Sequence, residues 1–345
     1  MFMVNNKTRE EIQEKYSENL KRRFPAKEEF IERMRLLLGD EVKDFLEICY
    51  TETPDSIRCN TIKISPEKLK CRLEKYGWKI TQPLNGFPEV MIVSGNSAGA
   101  LGKSKEHLLG YFYVQEISSM LPMLVLQPKA GDALLDLCAS PGSKTTQAAA
   151  LMNNEGTIVA NEVNMGRVGI LSSNLERCGV TNVVITRKDG IALCNNIIKK
   201  TNIKFNKILV DAPCTGEGTL RKSPKTFVMW NKKMIDKTAS LQRKLASAAL
   251  KLLDVAGEMI YSTCTLGPEE DEFVVDYLIK NFDVEIEQIN LPLKFRNGIT
   301  EWNGKKLDKN VSKCLRLYPQ DNNTDGFFVC KMKKISDKCL LEEKK

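Results

Sequence analysis

From Ala130 onward, short apolar runs alternate with longer stretches of helical periodicity. The runs 133–138, 157–162, 182–187, 207–211 and 257–262 read as strands, with helices at about 145–152, 164–178, 190–200 and 239–254 between them. Strands separated by helices pair in parallel, so the pattern predicts a doubly wound sheet covered on both faces. A last pair of strands, 283–289 and 326–332, is expected to close the edge. In such a sheet a ligand sits beyond the carboxyl ends of the strands. The residues at those ends are therefore the ones to read for chemistry.

The first strand runs into Asp136-Leu137-Cys138-Ala139-Ser140-Pro141-Gly142-Ser143-Lys144-Thr145 and then into a helix. Strand, tight turn and helix present backbone N–H groups to a ligand. Pro141 fixes φ and Gly142 permits close backbone approach. A phosphate-binding loop would need glycines at the positions held by Cys138 and Ser143, and no G-x-G-x-x-G is present. Acids recur at the later strand ends: Glu162, Asp189 and Asp211, with Asp136 on the first. Four such acids and no phosphate loop suit a hydroxyl-bearing, partly cationic adenosine ligand, such as S-adenosylmethionine, better than a dinucleotide.

Two cysteines share this rim. Cys214 lies in Asp211-Ala212-Pro213-Cys214-Thr215-Gly216-Glu217-Gly218, and Cys264 in Ser262-Thr263-Cys264-Thr265-Leu266-Gly267-Pro268-Glu269-Glu270. The ordinary fate of a cysteine is a buried, inert thiol. A pair of them after sheet strands, in Gly/Pro/Thr turns and near a helix start, favours reactive sulfur. The eleven cysteines include no C-x-x-C, and there is one histidine, His107, so a metal cluster or a histidine-based triad is not expected.

Ahead of the sheet, residues 1–53 read as helices, with Phe30, Met34, Leu37, Leu38 and then Val42, Phe45, Leu46 at helical spacing around Gly39. Residues 54–129 read as a small α+β unit, with strands at 57–62, 78–80 and 90–93 and a helix capped by Ser65 with Pro66 at its first position. That order suits an RNA-recognition-like platform. The segment 110–126 is aromatic and apolar and should pack on the larger domain, 130–335. The charged tail 336–345 is expected to fray.

Net charge is +8, and its distribution is more informative than its sum. Between Thr219 and Lys244 stand Arg221, Lys222, Lys225, Lys232, Lys233, Lys237, Arg243 and Lys244 against Asp236 alone. The segment 294–317 is similarly acid-poor. Solvated faces are the usual reading of charge runs, but two such segments flanking the chemistry favour a polyanion partner. No apolar run reaches 18 residues and the amino terminus is charged, so neither a transmembrane helix nor a secretory signal is read, and the protein is expected in the cytoplasm.

Taken together, the turns at 136–145, 211–218 and 262–270 resemble the Nop/Sun (RsmB-type) family of RNA cytosine-C5 methyltransferases, the archaeal transfer-RNA type above all. Arg58-x-Asn-Thr61, Arg316-x-Tyr-Pro319 and Asp325-Gly-Phe-Phe328 are weaker matches, and the likeness covers roughly 54–332. It implies a Rossmann-like class I methyltransferase sheet, with Cys138, Ala139, Ser140, Pro141, Gly142, Ser143, Lys144, Glu162, Arg167, Asp189 and Asp211 around S-adenosylmethionine. It further implies Cys264 as nucleophile on a cytosine, Cys214 in proton removal and product release, and Asp211 on the cytosine edge. Arg221, Lys222 and Lys225 are placed for RNA phosphates, in a protein expected to be monomeric and metal-free. Transfer RNA is the first choice of substrate and ribosomal RNA the second. Ser140 and Ser143 replace the small residues often found in the family's turn, and a positive φ at 143 would strain it.

Three other readings carry distinct signatures. A DNA cytosine-C5 methyltransferase would use the cysteine after Pro213, namely Cys214, as nucleophile. A non-catalytic RNA-binding or assembly factor would keep the fold without the activity. An NAD-dependent oxidoreductase would need the missing glycine fingerprint.

Overall fold

The structure is a computed structural model and describes residues 6–95 and 101–339. Helices α1 (Asn6–Arg23), α2 (Glu28–Leu38) and α3 (Val42–Cys49) come first, with Gly39 opening a single 3-10 turn between the last two. Phe30, Met34, Phe45 and Cys49 turn inward and pack with Leu220, Phe227, Trp230, Ile235 and Leu266, all from the second half of the chain. The helical segment is thereby seated on the larger domain.

The next unit holds β1 (Ser56–Cys59), α4 (Pro66–Lys75), β2 (Trp78–Thr81), β3 (Val90–Gly95), α5 (Lys105–Leu108) and β4 (Phe112–Val114). Ser65 caps α4, accepting from Lys68 N–H, and Pro66 takes the first helical position. The four strands form an antiparallel sheet in the order β2-β3-β1-β4. β1 is shorter than the predicted 57–62 and is buried at every position instead of alternating. The cause is cover on both faces. Ile57 and Cys59 pack with Leu69 and Leu73 of α4, while Arg58 reaches the other way to Ser143 O at 2.6 Å and Thr146 Oγ1 at 2.8 Å. At β1 the face away from α4 is therefore taken up by contacts to the large domain, while Lys79 and Thr81 of β2 stay exposed. β4 lies inside the segment read only as a docking stretch, and the apolar helix α6 (Ile117–Leu126) that follows does pack against the large sheet.

The large domain supplies β5 (Ala133–Asp136), α7 (Ser143–Leu151), β6 (Thr157–Asn161), α8 (Met165–Cys178), β7 (Val183–Thr186), α9 (Gly190–Lys200), β8 (Phe205–Asp211), α10 (Lys225–Met229), α11 (Lys232–Leu252) and β9 (Leu253–Thr263). It ends with α12 (Glu272–Asn281), β10 (Phe282–Glu287), the short strands β11 (Arg296–Asn297), β12 (Glu301–Trp302), β13 (Lys305–Lys306) and β14 (Leu315–Leu317), then α13 (Pro319–Asn322) and β15 (Phe327–Cys339). β7, β6, β5, β8 and β9 pair in parallel in that order. β15 runs antiparallel beside β9.

Several boundaries differ from the sequence reading. α11 begins at Lys232, not 239, because Asn231 caps it by accepting from Met234 N–H. The expected closing pair is present as β10 beside β15, and β14 and β11, not foreseen, share that side of β15. The tail does not fray from 336, since β15 continues to Cys339, paired with Phe282. The remainder of the expected tail, 340–345, lies outside the described residues. Among the described residues no helix is long and apolar enough to cross a membrane.

Candidate active site

The parallel strands deliver their carboxyl ends to one rim. After β5 the chain turns through Cys138–Gly142 into α7. Positive φ falls on Gly142, at 101°, which is the residue before the helix, so Ser143 takes an ordinary helical position and the strain anticipated there is absent. No side chain caps α7, which leaves its first-turn N–H groups open to a ligand. The turn is held from outside: Tyr113 OH donates to Pro141 O at 3.3 Å, Asn174 Nδ2 to the same oxygen at 2.9 Å, and Arg167 Nη2 to Ser140 O at 2.7 Å. Ser140 returns a hydrogen bond to Arg167 O at 3.0 Å. Ala139 is fixed by its N–H on Asn161 O.

Glu162, past the tip of β6, is buried. Its carboxylate accepts from Asn164 N–H at 2.8 Å and lies 3.3 Å from Arg167 Nη1, so Arg167 bridges the second strand end and the turn. Asp189 is exposed and caps α9 through Ala192 N–H at 3.0 Å. The Cys138 thiol is pushed up first by burial and then by the Asp136 carboxylate, which keeps it a neutral lining group. Asp136 ends β5. It is buried, accepts from Thr145 Oγ1 at 2.7 Å, and burial raises its carboxyl to about 7. Open N–H donors on one side and the Glu162, Asp189 and Asp211 carboxylates on the other fit an amino-acid tail, a ribose and a positive sulfur, as S-adenosylmethionine would present.

Next to this lies the sulfur pair. Cys214 Sγ and Cys264 Sγ are 3.0 Å apart and both half-buried. They follow adjacent parallel strands in which Asp211 is level with Ser262. Ser262 Oγ donates to Asp211 Oδ1 at 2.8 Å, and Lys144 Nζ meets Asp211 Oδ2 at 2.8 Å and Ser119 Oγ at 3.0 Å. Lys144 thus links the turn after β5 to the cysteine centre. The Cys214 thiol is pushed well up by the Cys264 sulfur beside it, then by burial, so Cys214 keeps its proton. The two turns are sewn together by backbone: Gly218 N–H donates to Cys264 O at 2.9 Å, and Gly326 N–H to Gly218 O at 2.8 Å.

Of the three basic residues assigned to RNA, Arg221 is misplaced. It is buried, and its guanidinium is used on Thr51, Glu52, Asn323 and Thr324, tying the helical segment to the loop before β15. Lys222 and Lys225 are exposed, Lys222 lying 3.3 Å from Asp325. The sequence reading passed over Ser119 and gave no role to Ser262 and Gly326, which it placed only within matching turns. The Ser118-Ser119 pair inside an otherwise apolar run was the available signal for the first. Among the described residues no group of His, Cys, Asp and Glu is arranged to hold a metal ion.

A parallel sheet with an open strand-turn-helix, acids at its strand ends and an antiparallel strand beside β9 is a Rossmann-like methyltransferase. Residues 123–333 match the profile described as 16S rRNA methyltransferase RsmB/F, and residues 26–117 match that of the N-terminal domain of 16S rRNA methyltransferase RsmF. The chain belongs to the RsmB/F methyltransferase family. It is 38% identical, over 86% of its length and 93% of the relative's, to the tRNA (cytosine(49)-C(5))-methyltransferase of Pyrococcus abyssi. It is 37% identical over 90% of its length to the ribosomal RNA small subunit methyltransferase F of Vibrio campbellii, but spans only 63% of that protein. Among solved structures, a methyltransferase homolog from Pyrococcus horikoshii superposes with a TM-score of 0.80 at 33% identity, covering 92% of this chain and 98% of the other. NSun6 from the same organism, solved with SFG, gives 0.76 at 26% identity, covering 90% and 98%.

Proposed function

We propose that the protein methylates C5 of a cytosine in RNA, with transfer RNA as its substrate, through a transient bond from Cys264 to C6 of the base. The observation that carries this reading is the sulfur pair, 3.0 Å apart, beside an Asp211 carboxylate at the carboxyl end of the sheet. Residues 138–144 with Glu162, Arg167, Asp189 and Asp211 would hold S-adenosylmethionine. That group, when bound, supplies an electrophilic methyl on sulfur.

The rest of the chemistry belongs to the chain. C5 of cytosine is a poor nucleophile. Addition of the Cys264 thiolate to C6 moves the ring electrons to C5, which then takes the methyl. Asp211 accepts from the base edge and offsets charge gathering at N3 and N4. Lys144 and Ser262 fix that carboxylate from two sides and leave lone pairs for the base. The C5 proton then passes by way of Cys214 to solvent, its bonding pair re-forms the C5–C6 double bond, and the C6–sulfur bond breaks to return the Cys264 thiolate and release the product. The base must leave its stack, at a cost of about a few kcal/mol, so unpaired or flipped cytosines are favoured. Lys222 and Lys225 meet the flanking phosphates. Transfer RNA is put first on the likeness to the archaeal tRNA relative, 38% identical over 86% of this chain, with ribosomal RNA second.

Tritium-methyl transfer to unmodified transfer and ribosomal RNA tests the activity, and bisulfite sequencing of RNA from cells with and without the gene locates the base. Tight RNA binding without incorporation into either RNA would replace this reading with a non-catalytic assembly factor.

A further inference from the structure

Buried carboxylates stand behind both cysteine turns, and a cation from the N-terminal helices meets them. Glu217 follows Cys214, and Glu269 and Glu270 follow Cys264. Arg33, in the middle of α2, lies with Nε 3.3 Å from Glu217 Oε1, and donates from Nη1 and Nη2 to the two oxygens of Glu269 at 3.0 and 2.5 Å. Glu217 is fully buried. Its other partners are Trp230 Nε1 at 2.7 Å and Thr265 Oγ1 at 3.3 Å. Thr265 is the residue after Cys264. Its hydroxyl lies 3.1 Å from that of Thr215, the residue after Cys214, which donates in turn to Glu270. Contacts therefore run unbroken from α2 to the neighbour of each sulfur.

Packing alone does not explain Arg33. The apolar contacts of α2 are made by Phe30, Met34 and Leu38. A planar fork that serves two carboxylates fixes direction as well as charge, which a lysine at the same place would not do. Burial pulls the Arg33 guanidinium down, but its hydrogen bonds to Glu269 and the charge of Glu217 more than offset that and hold it cationic.

We propose that Arg33 is a positioning residue for methyl transfer. Through Glu217 and Thr265 on one side and Glu269 on the other, it sets the relative placement of the Cys214 and Cys264 sulfurs, which makes the N-terminal helical segment part of the reaction machinery. The inference rests on the two-cysteine reading above.

The test compares wild type with Arg33→Gln and Arg33→Lys in the full chain. Iodoacetamide alkylation of Cys214 and Cys264 is followed separately by peptide mass, without RNA or methyl donor, and kcat and KM are measured on unmodified transfer RNA. For Arg33→Gln the ratio of the two alkylation rates shifts at least about three-fold and kcat falls roughly ten- to hundred-fold, while KM for RNA stays within about two-fold. Arg33→Lys recovers part of both. A raised KM with kcat unchanged would mean that α2 serves RNA binding, and would overturn the proposal. An unchanged alkylation ratio with unchanged kinetics would overturn it too. If Arg33→Gln fails to fold, Glu269→Gln opens the outer half of the fork and must show the same pattern in weaker form. A wild type inactive on every RNA, with the alkylation ratio still shifted in the variant, would fault the functional reading and leave the positioning role standing.

Discussion

Cys214 and Cys264 are neighbours in space, and the proposed reaction gives them different duties. Cys214 is held protonated by the sulfur beside it and by burial, so it can donate an S–H toward Cys264 across 3.0 Å. Cys264→Ala is therefore expected to lose methyl transfer altogether and to form no covalent complex. Cys214→Ala is expected to accumulate a protein–RNA adduct that survives denaturing electrophoresis. The opposite pattern would make Cys214 the nucleophile. A second residue-scale expectation concerns pH. Burial, with the Glu217 charge, lifts the Glu270 carboxyl from 4.5 to about 7, against hydrogen bonds from Thr215 and Gln242 that act the other way. The folded state then holds this proton better than the unfolded chain. Its stabilisation is complete below about 4.5 and is lost as pH rises through about 7. Asp136 contributes in the same sense. The melting temperature should fall between about pH 5 and about pH 8, and Glu270→Gln should flatten part of that slope, on the order of 1–2 kcal/mol. Equal slopes in both proteins would remove Glu270 from the account.

The elements act through the turns that join them. Gly218 has no room for a side chain: an added Cβ would overlap Gly326 O and lie 2.8 Å from Cys264 O. Gly218→Ala should push the Cys264 turn out of register and cost roughly a hundred-fold in kcat, measurable by single-turnover methyl transfer. The small sheet is likewise more than an appendage. Arg58 of β1 grips Ser143 O and Thr146 Oγ1, and Tyr113 of β4 grips Pro141 O, so two strands of one unit shape the turn of the other. Arg58→Met removes these hydrogen bonds and the one to Gln115 Oε1 from a buried site, a loss of about 3 kcal/mol. A lowered melting temperature with weakened S-adenosylhomocysteine binding by calorimetry would bear this out. Tyr113→Phe should weaken that binding with little change in melting. These links were not legible in the sequence. Arg58 stands out in the sequence only as part of a weak family match and Tyr113 only within a packing stretch, and nothing in either names a carbonyl some 30 to 85 residues away.

For the molecule as a whole, packing gathers charge that the chain keeps apart. Lys27 Nζ donates to Trp230 O at 2.7 Å, which brings the end of α1, with the exposed Lys21, Arg22 and Arg23, to the start of α11, with the exposed Lys232 and Lys233. Lys225 lies on the short helix between Cys214 and that point. Lys225→Glu combined with Lys233→Glu should weaken RNA binding roughly ten-fold and lower the slope of log affinity against log salt by about one for each phosphate no longer neutralised. Filter binding at several salt concentrations reads both.

The alternation of apolar runs and helical stretches, and the three turns around residues 136–145, 211–218 and 262–270, determined the sheet, its functional rim and the identity of the two cysteines. These are local properties, since strand period, turn chemistry and residue type are written within a dozen positions. Only the tertiary structure decided that Arg221 is internal bracing, that Lys144 meets Asp211, that β1 meets the large domain with its second face, and that Arg33 stands behind the sulfurs. Each of those depends on which distant group a side chain meets, and a long polar side chain looks the same in sequence whether its partner is solvent, phosphate or a buried carboxylate.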